Sequence, residues 1–247
     1  MRLLRPLATA LGLLAAWEGL VRLTGVPPFI LPGPGAVLSA LVGRYDLLLG
    51  HAAVTAGEIL AGMALGSLVG ALAALLLAAS CTARRWLTPL LVASQALPVF
   101  ALAPLLVLWL GYGAASKVAM AVLIIFFPVT AAFHDGLRRT EPGWLELARV
   151  MNARPAALIW RVRVPAALPA MASGLRVAAA VAPIGAVIGE WVGSSAGLGY
   201  LMLHANARMQ VDLMFAALLL LALMALGLHA ATDRATRRLV RWQPERP

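Results

Sequence analysis

Residues 54–79 read VTAGEILAGMALGSLVGALAALLLAA, a run that carries a single charge, Glu58. A helix of about 20 apolar residues crosses the hydrocarbon core of a bilayer, so this stretch predicts a transmembrane span. Within it Glu58, Gly62, Gly66, Gly70, Ala74 and Ala78 recur at every fourth position. That spacing drifts slowly around a helix and gathers small residues on one face, where a second helix backbone can come close. The seam predicts packing inside a bundle ahead of a dedicated dimer face.

Similar apolar runs recur on either side. Spans are expected at about 7–24, 54–79, 87–110, 116–136, 170–192 and 212–232. Of 247 residues, 62% are hydrophobic and 12% charged, with a mean hydropathy of +0.89. A soluble domain of this length needs more charge to cover its surface. A membrane β-barrel would show short alternating strands instead of long apolar runs. The expected class is an all-α polytopic membrane protein, one domain over residues 1–247 with about six transmembrane helices. Arg2 and Arg5 precede the first run as in a signal peptide, but the run continues through Trp17, Leu20 and Val21 without a small-residue cleavage site, so a retained helix is expected. The segment VPPFILPGPG (26–35) separates the first two spans. Pro98 and Pro104 should kink or locally break the third, while Pro128 lies in the fourth and Pro183, Gly185 and Gly189 in the fifth.

Charge sets the topology. Twenty Lys and Arg face ten Asp and Glu, a balance that in a soluble chain would suggest nucleic acid. Here the basic residues lie in the connections. With the N-terminus inside, the cytoplasmic set holds Arg2, Arg5, Arg84, Arg85, Arg138, Arg139, Arg149, Arg154, Arg161, Arg163, Arg176, Arg234, Arg237, Arg238, Arg241 and Arg246. The other side holds Arg22, Arg44, Lys117 and Arg208. That bias places both termini in the cytoplasm of a multi-pass inner-membrane protein, and nucleic acid is not an expected partner. Cys81 is the single cysteine, which excludes an internal disulfide and a cysteine-rich metal site. No internal duplication is evident, so an inverted-repeat transporter is not supported.

The largest cytoplasmic connection, residues 137–169, reads LRRTEPGWLELARVMNARPAALIWRVRVPAALP. Glu141, Pro142 and Gly143 suit a first helical turn. Trp144, Leu145, Ala148, Val150 and Met151 alternate with Glu146, Arg149 and Asn152 as in a short amphipathic helix, stopped near Arg154 and Pro155. A second short helix is expected to end near Val164 and Pro165. By physics alone, such a helix either lies on the membrane or docks into a partner.

This loop resembles that of the permease subunits of binding-protein-dependent ABC importers. Their pattern is Glu-Ala-Ala, three residues, Gly, nine residues, then Ile-x-Leu-Pro. The chain has Glu146-Leu147-Ala148, three residues, Asn152, nine residues, then Val162-Arg163-Val164-Pro165. Asn152 replaces the glycine, and Asn is the next-best residue for a left-handed backbone position. ALP (96–98), PLL (104–106), WLGYG (109–113), Ser116-Lys117, FFP (126–128), Glu190 and GLGY (197–200) look like the branch that imports sulfonates, taurine, nitrate and thiamine precursors. The segment FFPVTAAF (126–133) with DGLR (135–138) looks more like the thiamine-precursor (hydroxymethylpyrimidine-type) members than the sulfonate ones.

The resemblance implies a coupling helix at 144–154, seated in a groove of an ATP-binding subunit. Leu145, Ala148 and Met151 would fill the groove, Glu146 would pair with a basic group, and Trp144, Asn152 and Pro165 would complete the motif. It also implies a pair of ATP-binding subunits, a second permease copy in a homodimer, and a periplasmic substrate-binding protein. No G-x-x-x-x-G-K-[ST] loop occurs, so ATP and Mg are expected on the partner, with no cofactor in this chain and no enzymatic activity of its own.

Ionisable residues at membrane depth default to functional candidates. Glu190 heads them, followed by Glu58, with Gln95 and Pro98 on the bent third span as further candidates for the translocation path. Positive side chains within the spans are nearly absent, which does not favour a fixed anion site in the pore. GSSAG (193–197) matches the G-x-S-x-G nucleophile pattern with His204 nearby, the basis of an intramembrane serine hydrolase alternative; the strand-to-helix turn which that motif needs is not expected. His51, His134, His204 and His229 lack paired ligand spacing, so no metal site is expected. A membrane anchor or assembly protein is the remaining alternative.

Overall fold

The computed structural model describes residues 4–242, with side chains from residue 8 onward. Arg2 and Arg246, expected on the cytoplasmic side, lie outside the described residues, as does the Arg5 side chain. Every regular element described is helical, the form that satisfies backbone polar groups within one segment where no water can. In chain order these are α1 (Leu4–Thr24), α2 (Pro34–Gly43), α3 (Tyr45–Ala79), α4 (Cys81–Ala96), α5 (Val99–Leu110), α6 (Ala114–Arg138), α7 (Pro142–Val150), α8 (Pro155–Leu158), α9 (Val164–Gly193), α10 (Leu198–Ala207) and α11 (Val211–Leu239). Among the described residues α3, α6, the run Pro155–Gly193 and α11 are long and apolar enough to cross a membrane, and α4 with α5 makes a fifth if the pair is one span. The first expected span is present as the 21-residue α1 but is not among those five.

One expectation holds and one is corrected. Span 87–110 is broken at its proline, with α4 and α5 bent by 102° at the break. Leu97 precedes Pro98 and takes an extended ψ of 127°, because the proline ring disfavours helical backbone in the residue before it. Conversely, the helix expected to stop near Val164 and Pro165 does not stop. Pro155–Gly193 runs on for 39 residues. A π turn over Ile159–Arg163 sends the Val164 N–H to Ile159 O, and this wide turn lies directly before Pro165, which has no N–H to offer.

The chain divides into two compact units, one of residues 4–55 and 195–223, the other of 56–194 and 224–242. In the second unit α6 is the central helix, packed by glycine faces on two sides. On the α3 side, a Cβ at Gly66 would sit 2.7 Å from Ile125 Cγ2, and one at Gly70 2.7 Å from Phe126 O. On the α9 side, a Cβ at Gly174 would lie 2.8 Å from Pro128 O, and one at Gly185 2.7 Å from Ala121 Cα. The four-residue seam of α3 is thus a packing face within the chain. Thr130 Oγ1 lies 3.1 Å from Gly70 O and 2.8 Å from Phe126 O, adding a polar contact across that seam. Ile59, Ala121, Ile125, Val129, Ala178 and Ala182 form the core between the three helices. At the other end of α6, Ala74, Phe133, Leu137 and Ala167 make a second cluster. Arg176 on α9 stands 3.0 Å from Asp233 on α11, off hydrogen-bond geometry, and Asp233 also accepts from Arg237 Nε at 2.9 Å.

In the first unit, the residues after α9 are tied to α3. Gly197 N donates to His51 Nδ1 at 3.0 Å and Leu198 N to Thr55 Oγ1 at 2.8 Å, which caps the start of α10. Gly197 adopts φ +109°, a conformation that a side chain would strain.

Candidate functional site

The amphipathic segment forms α7. Pro142 sits in its first turn, where a missing N–H costs nothing, and Asn152 ends it. Asn152 has φ +54°. Its N–H donates to Arg149 O at 2.9 Å and that of Ala153 to Ala148 O at 3.0 Å, the paired bonds that close a helix with a left-handed residue. Asparagine therefore occupies the backbone state that a glycine would fill.

The faces of α7 divide differently from the sequence expectation. Ala148 is buried and Leu145 half-buried, so both turn toward their own chain. Trp144, Leu147, Val150 and Met151 point outward, Leu147 61% and Val150 81% exposed. The i, i+3, i+7 spacing of Trp144, Leu147 and Met151 was the signal for this outward stripe. Glu146 is exposed, without an ion-pair partner among the described residues. Beside α7, Trp144, Met151, Arg161, Pro165, Pro169 and Trp242 border a cleft of about 540 Å³. An exposed apolar stripe, one unpaired carboxylate and a cleft behind them can receive a protein surface.

The pathway candidates separate into two sets. Glu58 on α3 and Glu190 on α9 come together with Lys117, in the first turn of α6, and the three are 4%, 1% and 5% exposed. Glu190 and Lys117 are the charged groups that act on Glu58, whose Oε2 is buried without a hydrogen-bond partner among the described residues. Lys117 Nζ donates to the carbonyl oxygens of Tyr112 at 3.0 Å and Gly113 at 3.2 Å. Gly189 lets α9 pass over it, since a Cβ there would be 3.0 Å from Lys117 Cα. Gln95 is exposed at the end of α4 with Ser94 Oγ 3.5 Å away, and Pro98 opens α5; neither joins the cluster. Lys117 was missed as a site residue. Its signal was its position as the only lysine, at the head of an apolar helix.

Buried charges at membrane depth are tolerated when they compensate one another. Lys117→Met is expected to destabilise the chain by about 3–5 kcal/mol, the usual consequence of leaving buried charge unpaired. Thermal unfolding of the purified protein checks this. Adding Glu190→Gln to Lys117→Met should restore part of the loss, whereas purely additive losses would show that the two groups do not interact.

Ser195 lies in the connection between α9 and α10, a helix-to-helix link that differs from the strand-to-helix turn of a nucleophile elbow. Among the described residues no group of three or more His, Cys, Asp or Glu is placed to hold a metal.

Comparison with known proteins agrees with this architecture. Residues 62–243 match the family described as binding-protein-dependent transport system inner membrane component. A probable ABC transporter permease protein of Haemophilus influenzae is 56% identical over 97% of this chain and 98% of its own length. The formylaminopyrimidine transport permease protein ThiX of Halalkalibacterium halodurans is 37% identical, over 97% of this chain and 96% of its own. The riboflavin transport system permease protein RibX of Chloroflexus aurantiacus is also 37% identical, over 95% and 88%. Among solved structures, a chain of the MetNI methionine ABC transporter in an inward-facing conformation superposes with a TM-score of 0.70 at 18% identity, over 80% of this chain and 98% of that one, and so shares the fold. A helical membrane chain with a short exposed amphipathic helix, matched along nearly its whole length by transport permeases, belongs to the inner-membrane permease subunits of binding-protein-dependent ABC importers.

Proposed function

We propose that two copies of this chain form the pathway of an importer that carries a small heteroaromatic solute, of the pyrimidine type, from periplasm to cytoplasm. Each copy receives an ATP-binding subunit on α7, and a periplasmic binding protein delivers the solute. The observation that carries this reading is the outward stripe Trp144, Leu147, Val150 and Met151, held by the left-handed turn at Asn152. A short exposed helix with an apolar face and closed ends suits insertion into a groove of another protein. ATP hydrolysis then resides in that partner, consistent with the lack of a phosphate-binding loop in the sequence. The arginine bias favours both termini, and with them α7, on the cytoplasmic side. For the solute, the relatives named for formylaminopyrimidine and riboflavin support a nitrogen heterocycle. The sulfonate, taurine or nitrate reading is the alternative, and competition for uptake between a pyrimidine and a sulfonate separates the two.

The direct test is co-purification of the tagged permease in mild detergent, followed by an ATPase assay. An ATP-binding subunit is expected in the complex, with hydrolysis stimulated by loaded binding protein. Glu146→Lys replaces an attractive rim contact with a repulsive one. The variant should reach the membrane at the wild-type level, with stimulation reduced to that of the ATP-binding subunits alone. Normal stimulation in Glu146→Lys would remove that residue from the coupling surface.

A further inference from the structure

One cavity of the first unit has no part in the coupling surface or the buried cluster. It measures about 180 Å³ and lies among the end of α2, the start of α3 and the end of α10. Its polar wall is Arg44, His51, Tyr200, His204, Arg208 and Gln210, and no lining residue is acidic. Neither Arg44 nor Arg208 has an ion-pair partner among the described residues. Each arginine alone suits its position, because Arg44 follows α2 and Arg208 follows α10, and a helix C-terminus favours a cation. That account does not explain why both border one small cavity without a carboxylate. Two guanidinium groups around a common space repel each other, and an anion between them reverses the sign.

The hydrogen bonds of the two histidines leave one ring donor, on His51, for a ligand. A backbone N–H can only donate, so His51 Nδ1 accepts from Gly197 N at 3.0 Å and the ring proton resides on Nε2. A carbonyl can only accept, so His204 Nδ1 carries a proton toward Tyr200 O at 3.0 Å. The Tyr200 ring lies 3.9 Å from that of His204 and 5.9 Å from that of His51, and so fixes both planes. Two guanidinium groups, one imidazole N–H and the Gln210 amide thus border a space that holds one small group. A carboxylate carries one charge and about four acceptor sites on two oxygens, against two guanidinium charges. A phosphoryl group presents three or more oxygens.

We propose that the cavity bordered by Arg44, His51, Arg208 and Gln210 binds one tetrahedral phosphate-type oxyanion, either dissolved phosphate or the headgroup phosphate of an anionic phospholipid. Arg44 and Arg208 supply charge and forked donors, His51 supplies Nε2–H, and Gln210 supplies its amide. The site stands independently of the transport reading, because binding is read on the isolated permease without its partners.

The full-length permease is purified, stripped of lipid in detergent and dialysed to equilibrium against radiolabelled inorganic phosphate. In parallel, protein from phosphatidylglycerol nanodiscs is released into detergent, and retained lipid is counted by native mass spectrometry. One phosphate bound per chain, weakened at least tenfold in the double variant R44Q/R208Q and kept in R44K/R208K, assigns the site to the dissolved anion. One phosphatidylglycerol retained per chain, and lost in R44Q/R208Q, assigns it to the headgroup. If the double variant does not fold, R44Q and R208Q are measured singly, and each should weaken binding. Binding of neither probe, equal binding by wild type and the glutamine variants, or displacement of phosphate by equimolar acetate would overturn the proposal.

Discussion

Leu147→Asp combined with Val150→Asp is expected to reduce solute uptake to about one hundredth or less, while the chain remains in the membrane at its normal level. Both side chains are mostly exposed, so the substitution removes little internal packing. Burying a Leu or Val side chain in a partner groove contributes about 1.5–3 kcal/mol, so removing two forfeits roughly 3–6 kcal/mol before the cost of burying two carboxylates. Since each 1.4 kcal/mol is about tenfold in affinity, attachment of the ATP-binding subunit should weaken at least a hundredfold. Retention of that subunit on a tagged double variant measures this directly. A variant that still retains its partner and transports would place the docking surface elsewhere. Ala148, buried against its own chain, should respond differently: substitution there acts on the stability of the permease.

The second large effect lies in the α6–α9 contact. Gly185→Val is expected to lower the amount of folded chain at least tenfold. A Cβ at 185 would meet the Ala121 Cα at 2.7 Å, a backbone atom that cannot rotate away, so the two helices must separate. Overpacking of a close contact costs about 1–3 kcal/mol, and here the whole glycine-lined interface must widen. Gly227→Val on α11, where an added Cβ meets nothing within 4 Å, is the matched control and should accumulate normally. The comparison is read from membrane-fraction yield and from elution as a single species in detergent. Equal yields for the two variants would mean that α6 and α9 do not approach as described.

These contrasts show which parts of the architecture hydropathy could reveal. The apolar runs at 54–79, 116–136 and 212–232 were legible because transfer of a long segment into hydrocarbon depends on composition, and composition is visible in one chain. The direction of a helix is not. The third run contains enough apolar residues for one span, yet the Leu97–Pro98 peptide turns it through 102°. Pro165, read as a stop, is accommodated by a π turn, because helix continuation depends on the register of the preceding carbonyls. In the connection 137–169, Asn152 was legible as a left-handed residue, since a single backbone preference decides it. The facing of Leu145 and Leu147 was not, because two leucines so close in sequence differ only in helical phase relative to neighbours far along the chain. Lys117 illustrates the same limit: it was counted among the residues of the outer side, and only the packing of α3 and α9 around α6 shows it buried beside Glu58 and Glu190.

The uninterrupted run Pro155–Gly193 has a mechanical consequence. At 39 residues its contour is about 58 Å. Its first turns adjoin α7 through the cleft bordered by Arg161 and Pro165, and Glu190 sits near its far tip. A tilt of about 5° around the middle of such a helix displaces each tip by roughly 2.5 Å in opposite senses. The close contacts of Gly174 and Gly185 with α6 provide a fulcrum between the two tips. A displacement at one end would thus reach the other through a single helix, and the π turn at Ile159–Arg163 with Pro169 and Pro183 marks where that helix can flex.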